Sequence, residues 1–208
     1  VHAVLFRGLA GTLSSATLPI GARSRAIFPT RYSFRQAGYA HVATELNARL
    51  TKFDEVVTGT VELNQPTTMQ PKIELPVPWL QAAFTISIPK LTSSTLVPFA
   101  GAMRHLQNLL PAHLQTENRH LLPEKMVDLV SAVSPNLIVV DAIQALHKGG
   151  ELSGEPVDLG VLIVGTDAIA VDMICAVALG LEPEQVNFIQ EASARGIGPK
   201  NLDAVSVL

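Results

Sequence analysis

Cysteine occurs once in these 208 residues, at Cys175. A lone thiol excludes an internal disulfide and a cysteine-rich zinc site. It also excludes a four-cysteine cluster site, so the sequence predicts no iron–sulfur cluster ligated by this chain. Cys175 lies in the run Ala170-Val171-Asp172-Met173-Ile174-Cys175-Ala176-Val177, where a thiol is expected to pack as a small buried hydrophobe. Charge is scarce as well. Asp, Glu, Lys and Arg make up 16% of the chain, against about a quarter in ordinary soluble domains. The formal net charge is −3 and no basic stripe is visible. Nucleic-acid binding leans on phosphate neutralisation by Lys and Arg, so nucleic acid is excluded as an expected partner.

Several catalytic signatures are missing. The six histidines form no His-x-x-x-His or His-Glu-x-x-His pair, and no Gly-x-Ser-x-Gly elbow occurs. His105, His113 and His120 recur within one segment, but their spacing across Pro111 fixes no metal geometry. An uninterrupted membrane span is missing too. Residues 161–181 are almost wholly apolar, yet they contain Asp167 and Asp172, each costing about 2.5–3.5 kcal/mol near a bilayer centre. The Gly165-Thr166-Asp167 break divides the stretch into a strand and a helix. No signal-peptide pattern opens the chain, which gives a cytoplasmic expectation.

What is present reads as α/β, with a mixed or mostly parallel central sheet flanked by helices. Residues 1–208 are expected to form one domain truncated at its N-terminus, with 1–30 a poorly defined leading segment. Within that leader, Val4–Phe6 reads as a short strand. Tyr39, Val42, Ala43, Leu46 and Leu50 recur at helical spacing and predict a helix over 34–50. Residues 64–80, rich in proline, read as an irregular connection. The alternation of Phe84, Ile86 and Ile88 predicts a half-buried strand over 83–88. Helices are expected over 100–110 and over 123–133, the latter opened by Pro123. The branched runs 137–140 and 161–164 read as central strands covered on both faces. Asp167 is placed to cap a helix over 168–180, Gly180 to end it, and another helix should run from Pro183 to about Ala194. Val205–Val207 reads as a last strand.

Polar residues follow three of these strands: Lys90, Asp141 and Thr166-Asp167. In open α/β sheets ligands bind outside the carboxyl ends of parallel strands. Three parallel strands would therefore gather Lys90, Asp141 and Asp167 on one rim, whereas an antiparallel return after Asp141 would separate the two acids. Asp172 sits on a helical face with Ile169, Ala176 and Leu179, so its carboxyl must be paired, hydrogen-bonded or protonated. It serves either as a ligand or proton-transfer group or as a structural acid bonded to backbone amides. Lys90, Asp141, Asp167 and Asp172 are the candidate catalytic residues: Lys90 to hold an anionic group, the carboxylates to bind a divalent cation or move protons. The loop His147–Pro156 supplies Gly149, Gly150 and Gly154 as a candidate cofactor cradle, since backbone amides in such a loop can hold an anion. It matches neither the nucleotide P-loop nor the dinucleotide fingerprint. A small anionic molecule is the expected ligand, and the metal, if any, is not fixed. A scaffold domain in which the same acids cap helices and brace loops is the alternative.

Several segments also match a known pattern in order and spacing. Ser33-Phe34-Arg35-Gln36-Ala37-Gly38-Tyr39, Ile88-Pro89-Lys90-Leu91, Leu137-Ile138-Val139-Val140-Asp141-Ala142-Ile143 and Ser153-Gly154-Glu155-Pro156 form its first part. Gly165-Thr166-Asp167-Ala168-Ile169-Ala170-Val171-Asp172 and Ala194-Arg195-Gly196-Ile197-Gly198 complete it. Together they resemble the domain-of-unknown-function family 362, over roughly residues 32–208. The resemblance implies a domain of unassigned chemistry that stands beside or fused to ferredoxin-type iron–sulfur modules, hence a link to redox metabolism and an iron–sulfur protein as partner. The chain departs from the pattern at Thr92-Ser93-Ser94, where the family has Lys-Thr-His, and at Met103-Arg104-His105. It also lacks the family's Lys-Pro-Asn segment.

Overall fold

The computed structural model describes residues 3–13, 18–24, 28–150 and 153–207. In chain order these form α1 (Ala3–Thr12), β1 (Ile20–Ala22), α2 (Thr30–Gln36), α3 (Tyr39–Glu45) and β2 (Leu50–Lys52). There follow β3 (Thr58–Glu62), β4 (Lys72–Pro76), α4 (Val77–Leu80), β5 (Ile86–Ser87), β6 (Thr92–Ser93) and β7 (Phe99–Ala100). The remainder is α5 (Ala102–Leu106), α6 (Ala112–Thr116), α7 (Leu122–Val130), β8 (Leu137–His147), β9 (Glu155–Gly165), α8 (Ala168–Ala178) and α9 (Asn187–Ala194). The class is mixed α/β, as the sequence indicated.

The sheet that positions the site has the order β5-β8-β9, with β5 parallel and β9 antiparallel to β8. Two branched-apolar runs supply its strands, and the polar loop between them makes a hairpin. Lys148 and Gly149 turn the tip in left-handed conformation, with φ of 51° and 74°. The ladder slips between Ala142 and Gln144, opposite Leu159-Gly160, and Gly160 adopts φ 68° there. A bulge of this kind needs a residue without Cβ and bends the hairpin. Beyond it the tip folds over the segment after β5: Leu146 N–H donates to Leu91 O at 3.3 Å and Ser93 Oγ to Lys148 O at 3.1 Å.

One face of β8 builds the core. Ile138, Val140 and Ala142 are fully buried against Met103, Leu106, Met126, Leu129, Met173 and Phe188 of α5, α7, α8 and α9. Phe99 and Phe188 meet edge to face at 5.2 Å between ring centroids. Such contacts rest mainly on apolar area removed from water, about 25 cal/mol per Å².

Several expectations are corrected. Val4–Phe6 lies inside α1, a helix, because a short apolar run alone does not distinguish the two periods. The single helix over 34–50 is two short helices separated at Gly38, whose φ of 76° breaks the helical path, and Leu50 opens β2 instead. The stretch 64–80 holds β4 and α4 as well as loop. The strand over 83–88 shrinks to Ile86–Ser87, with Phe84 exposed. Val205–Val207 is no strand. Finally, β9 is the edge strand of its sheet among the described residues. Val161, Leu162 and Val164 are 43%, 43% and 58% exposed, not covered on both faces. The helices over 100–110, 123–133 and 168–180 stand as α5 with a following turn, α7 and α8.

Candidate functional site

The antiparallel return of β9 decides which predicted residues meet. β5 and β8 run parallel, so the segment after β5 ends beside the middle of β8, and Lys90 forms an isolated parallel bridge with Asp141. Asp141 N–H donates to Pro89 O at 2.8 Å and Leu91 N–H to Asp141 O at 3.0 Å. This backbone register sets the two side chains alongside one another. Lys90 Nζ donates to Asp141 Oδ1 at 3.1 Å, and Ile143 N–H reaches the same oxygen at 3.3 Å. The Asp141 carboxylate is fully buried, whereas the Lys90 side chain keeps 31% of its surface in solvent. Because Val140 and Ala142 point into the core, the pleat aims Asp141 at the opposite face of the sheet.

Tyr39 joins this region. Its phenol is held above its ordinary range by burial, with a contribution from the negative charge of Asp141. Its ring packs against Phe6 and Phe34, each at 5.6 Å between centroids. Tyr39 falls within one of the matching sequence segments, but that segment does not by itself place it at this site. Its position directly after Gly38 was the available signal.

The other two acids stand elsewhere. Asp167 follows Gly165, which pairs with Ile138 near the start of β8, and so lies toward the other end of the sheet from the hairpin tip. Its Oδ1 accepts from Ile169 N–H at 2.8 Å and Ala170 N–H at 2.9 Å, an N-cap of α8. Asp172 is buried on the core side, where it accepts from Ala102 N–H at 2.6 Å and Met103 N–H at 2.9 Å, at the start of α5. A Cβ on Gly101 would collide with this carboxylate, so the approach requires glycine. Burial raises the Asp172 carboxyl to about 7, against the opposing pull of the two amides. The same burial, with Asp172 nearby, pushes the Cys175 thiol far above its usual range, which fits an inert core residue.

The glycines of the candidate cradle lie in the hairpin tip. A Cβ on Gly150 would come within 2.8 Å of the Thr95 methyl, and one on Gly154 within 2.9 Å of Lys148 O. Their small size lets the tip close on itself and on the 93–95 segment; Glu151 of this loop lies outside the described residues. His147 approaches Glu155 at 3.6 Å across the hairpin. His105, pushed down to about 4 by burial and the adjacent Arg104, contacts Asn108 at 3.3 Å. Among the described residues, no group of three or more His, Cys, Asp or Glu side chains is arranged to hold a metal ion.

One buried cluster was missed in the sequence. Asp128, fully buried on α7, accepts from the backbone N–H groups of Thr67, Thr68 and Met69, each at 2.9 Å, and from Arg195 at 2.7 Å. Despite burial, these amides and the guanidinium hold its carboxyl below the usual range. Nearby, Lys125 Nζ donates to Leu114 O and Glu117 O at the end of α6, beside a small cavity of about 80 Å³ lined in part by Thr68 and Asn118. A charge inside the apolar run Met126–Val130 was the signal, the same one that drew notice to Asp172.

No helix among the described residues is long and apolar enough to cross a membrane. No solved structure matches the chain. Among curated proteins, a thylakoid-associated protein of Synechocystis sp. is 23% identical over 127 residues, covering 58% of this chain and 40% of the relative. The family profile described as Domain of unknown function (DUF362) matches residues 1–177, and the chain belongs to that family.

Proposed function

We propose that the chain is a small-ligand-binding domain in which Lys90, held by Asp141, receives an anionic group. One observation carries this reading: a fully buried carboxylate grips a lysine whose side chain remains 31% exposed. A buried carboxylate is costly unless paired, and here the pairing fixes an ammonium at the sheet surface. Lysine is suited to such a task as a compact charge with three donors. Among the described residues, that ammonium donates to Asp141 alone. Tyr39 supplies a phenol on the same side. Asp167 and Asp172 then serve the architecture. An iron–sulfur protein is the partner we propose for a redox role, with a cytoplasmic location. The relative's thylakoid association makes a membrane surface the alternative that fractionation would detect.

Calorimetric titration of acetate and orthophosphate into the wild type and Lys90→Met tests the proposal. Saturable binding in the wild type, lost in Lys90→Met and kept in part by Lys90→Arg, supports it. No saturable binding of either anion, with no divalent metal in elemental analysis, favours the second reading, a scaffold domain. That alternative draws on Asp128, Asp167 and Asp172, three carboxylates committed to backbone amides.

A further inference from the structure

The buried charges of Asp128 and Asp141 are each met by an opposite charge. Lys125 on α7 is not. It is 4% exposed, and among the described residues its hydrogen bonds run to two neutral acceptors, Leu114 O and Glu117 O, at the end of α6. These carbonyls engage two of its three N–H donors and leave its charge unneutralised, a costly state for a buried ammonium. Burial and then the nearby positive charge of Arg104 hold that ammonium below the ordinary lysine range, against the attraction of Glu117. The Glu117 side chain is itself exposed and forms no ion pair with Lys125 among the described residues.

The cavity of about 80 Å³ adjoins this ammonium, because Leu114, Glu117 and Lys125 all line it. Accessible space of that size holds several waters or a molecule of a few heavy atoms. Its wall has two characters. Thr68 and Asn118 add a hydroxyl and an amide to the ammonium, whereas Met69 and Leu114 add apolar surface.

We propose that this cavity is an anion site separate from Lys90, which takes a short-chain carboxylate. The carboxylate oxygens meet the third N–H of Lys125 and the polar groups of Thr68 and Asn118, and the carbon end lies against Met69 and Leu114. Such a ligand neutralises the buried ammonium and matches both parts of the wall. Orthophosphate would supply the charge but set oxygens against Met69 and Leu114, where no side chain donates to them.

NMR of isotope-labelled lysine side chains in the full chain tests the proposal, with Lys90→Met as background so that the outcome is independent of the Lys90 site. Lys125→Arg, which keeps the charge, identifies the Lys125 signal by its absence. Acetate should shift that signal saturably and bind more tightly than orthophosphate. Asn118→Gly removes the wall amide while leaving the two carbonyl contacts of Lys125 in place, and glycine suits the φ of 47° at that position. It should weaken acetate at least about threefold, the scale of one hydrogen bond. A Lys125 signal indifferent to acetate would overturn the proposal and leave Lys125 as a clamp on the end of α6. Tighter binding of orthophosphate, or acetate binding unchanged in Asn118→Gly, would overturn it as well.

Discussion

The two sides of the β5-β8-β9 sheet handle buried acid in opposite ways. On the core side, Asp172 meets only backbone amides, and every group it touches belongs to the frame. On the other side, Asp141 meets a lysine that still faces water. Asp128 combines both, with three amides and the largely buried Arg195. An acid satisfied by amides can hold a helix start or a loop, and its charge goes no further. An acid satisfied by a half-exposed lysine delivers a fixed cation to the surface, at the cost of an incompletely shielded pair. This contrast, rather than the number of acids near strand ends, separates candidate chemistry from architecture in this chain.

The comparison breaks most visibly at Asp128. Asp128→Ala strips partners from three amides and leaves Arg195 partly buried without its carboxylate. Loss of one partner of a buried pair costs about 3–5 kcal/mol, so urea denaturation should show a shift of that order. A loss below about 1 kcal/mol would mean that the loop 65–69 reorganises at little cost.

Asp172 sharpens the comparison through pH. Its folded-state carboxyl is raised to about 7, above the ordinary value of 3.8, so the folded chain holds this proton more tightly than the unfolded chain. The contribution of Asp172 is therefore most favourable below about pH 4 and declines as pH rises to about 7, after which it is level. Asp172→Asn removes that slope. It also turns one amide donor toward Met103 N–H, costing about 1–3 kcal/mol. Thermal melts from pH 4 to 8 read both effects. An unchanged slope in the variant would assign the pH dependence to other groups.

Lys90→Met is the next smaller effect, since the lysine is partly solvated and its charge is screened. Removing it takes from the buried Asp141 carboxylate the ammonium that donates to it at 3.1 Å. A loss of about 1 kcal/mol is expected, at the low end of the range for a buried polar group that loses a partner. Lys90→Met/Asp141→Leu should recover much of it, because apolar pairs often replace buried ion pairs without loss. If the double variant recovers stability while anion binding stays abolished, the pair serves binding rather than folding.

How much of this was legible in the sequence follows from the range of each interaction. The cap of α8 is local: Asp167 and its two amide partners lie within three residues, and the sequence placed it. Runs 137–140 and 161–164 were recognisable as strands from their branched side chains. Their relative direction was not, since residues 142–148 fit a short crossover helix as readily as the extension of β8, which runs to His147. That one ambiguity decides whether Asp141 and Asp167 share a rim. Asp172 was legible as an acid on an apolar face, but its partners lie 70 and 69 residues earlier. The Lys90–Asp141 pair spans 51 residues, and Asp128 reaches loop and arginine partners about 60 and 67 residues away. Propensity and periodicity carry no information over such distances, so these contacts were visible only once the chain was folded.

The smallest expected effect belongs to Asp167, and it sharpens the comparison because it isolates the cost of an amide-bound acid outside the core. Its carboxylate satisfies two of the open N–H groups at the start of α8, but these lie near the surface, where water can replace them. Asp167→Ala should therefore cost about 1 kcal/mol, and Asp167→Asn or Asp167→Ser much less. Because α8 carries Asp172 five residues after Asp167, fraying of its first turn would be transmitted to the α5 contact. Hydrogen exchange at the Ala102 and Met103 amides measures this directly. Faster exchange in Asp167→Ala, with anion binding at Lys90 unchanged, would show that the cap and the core acid form one structural unit. A drop in anion binding would instead join Asp167 to the Lys90 site and erase the division between the two sides of the sheet.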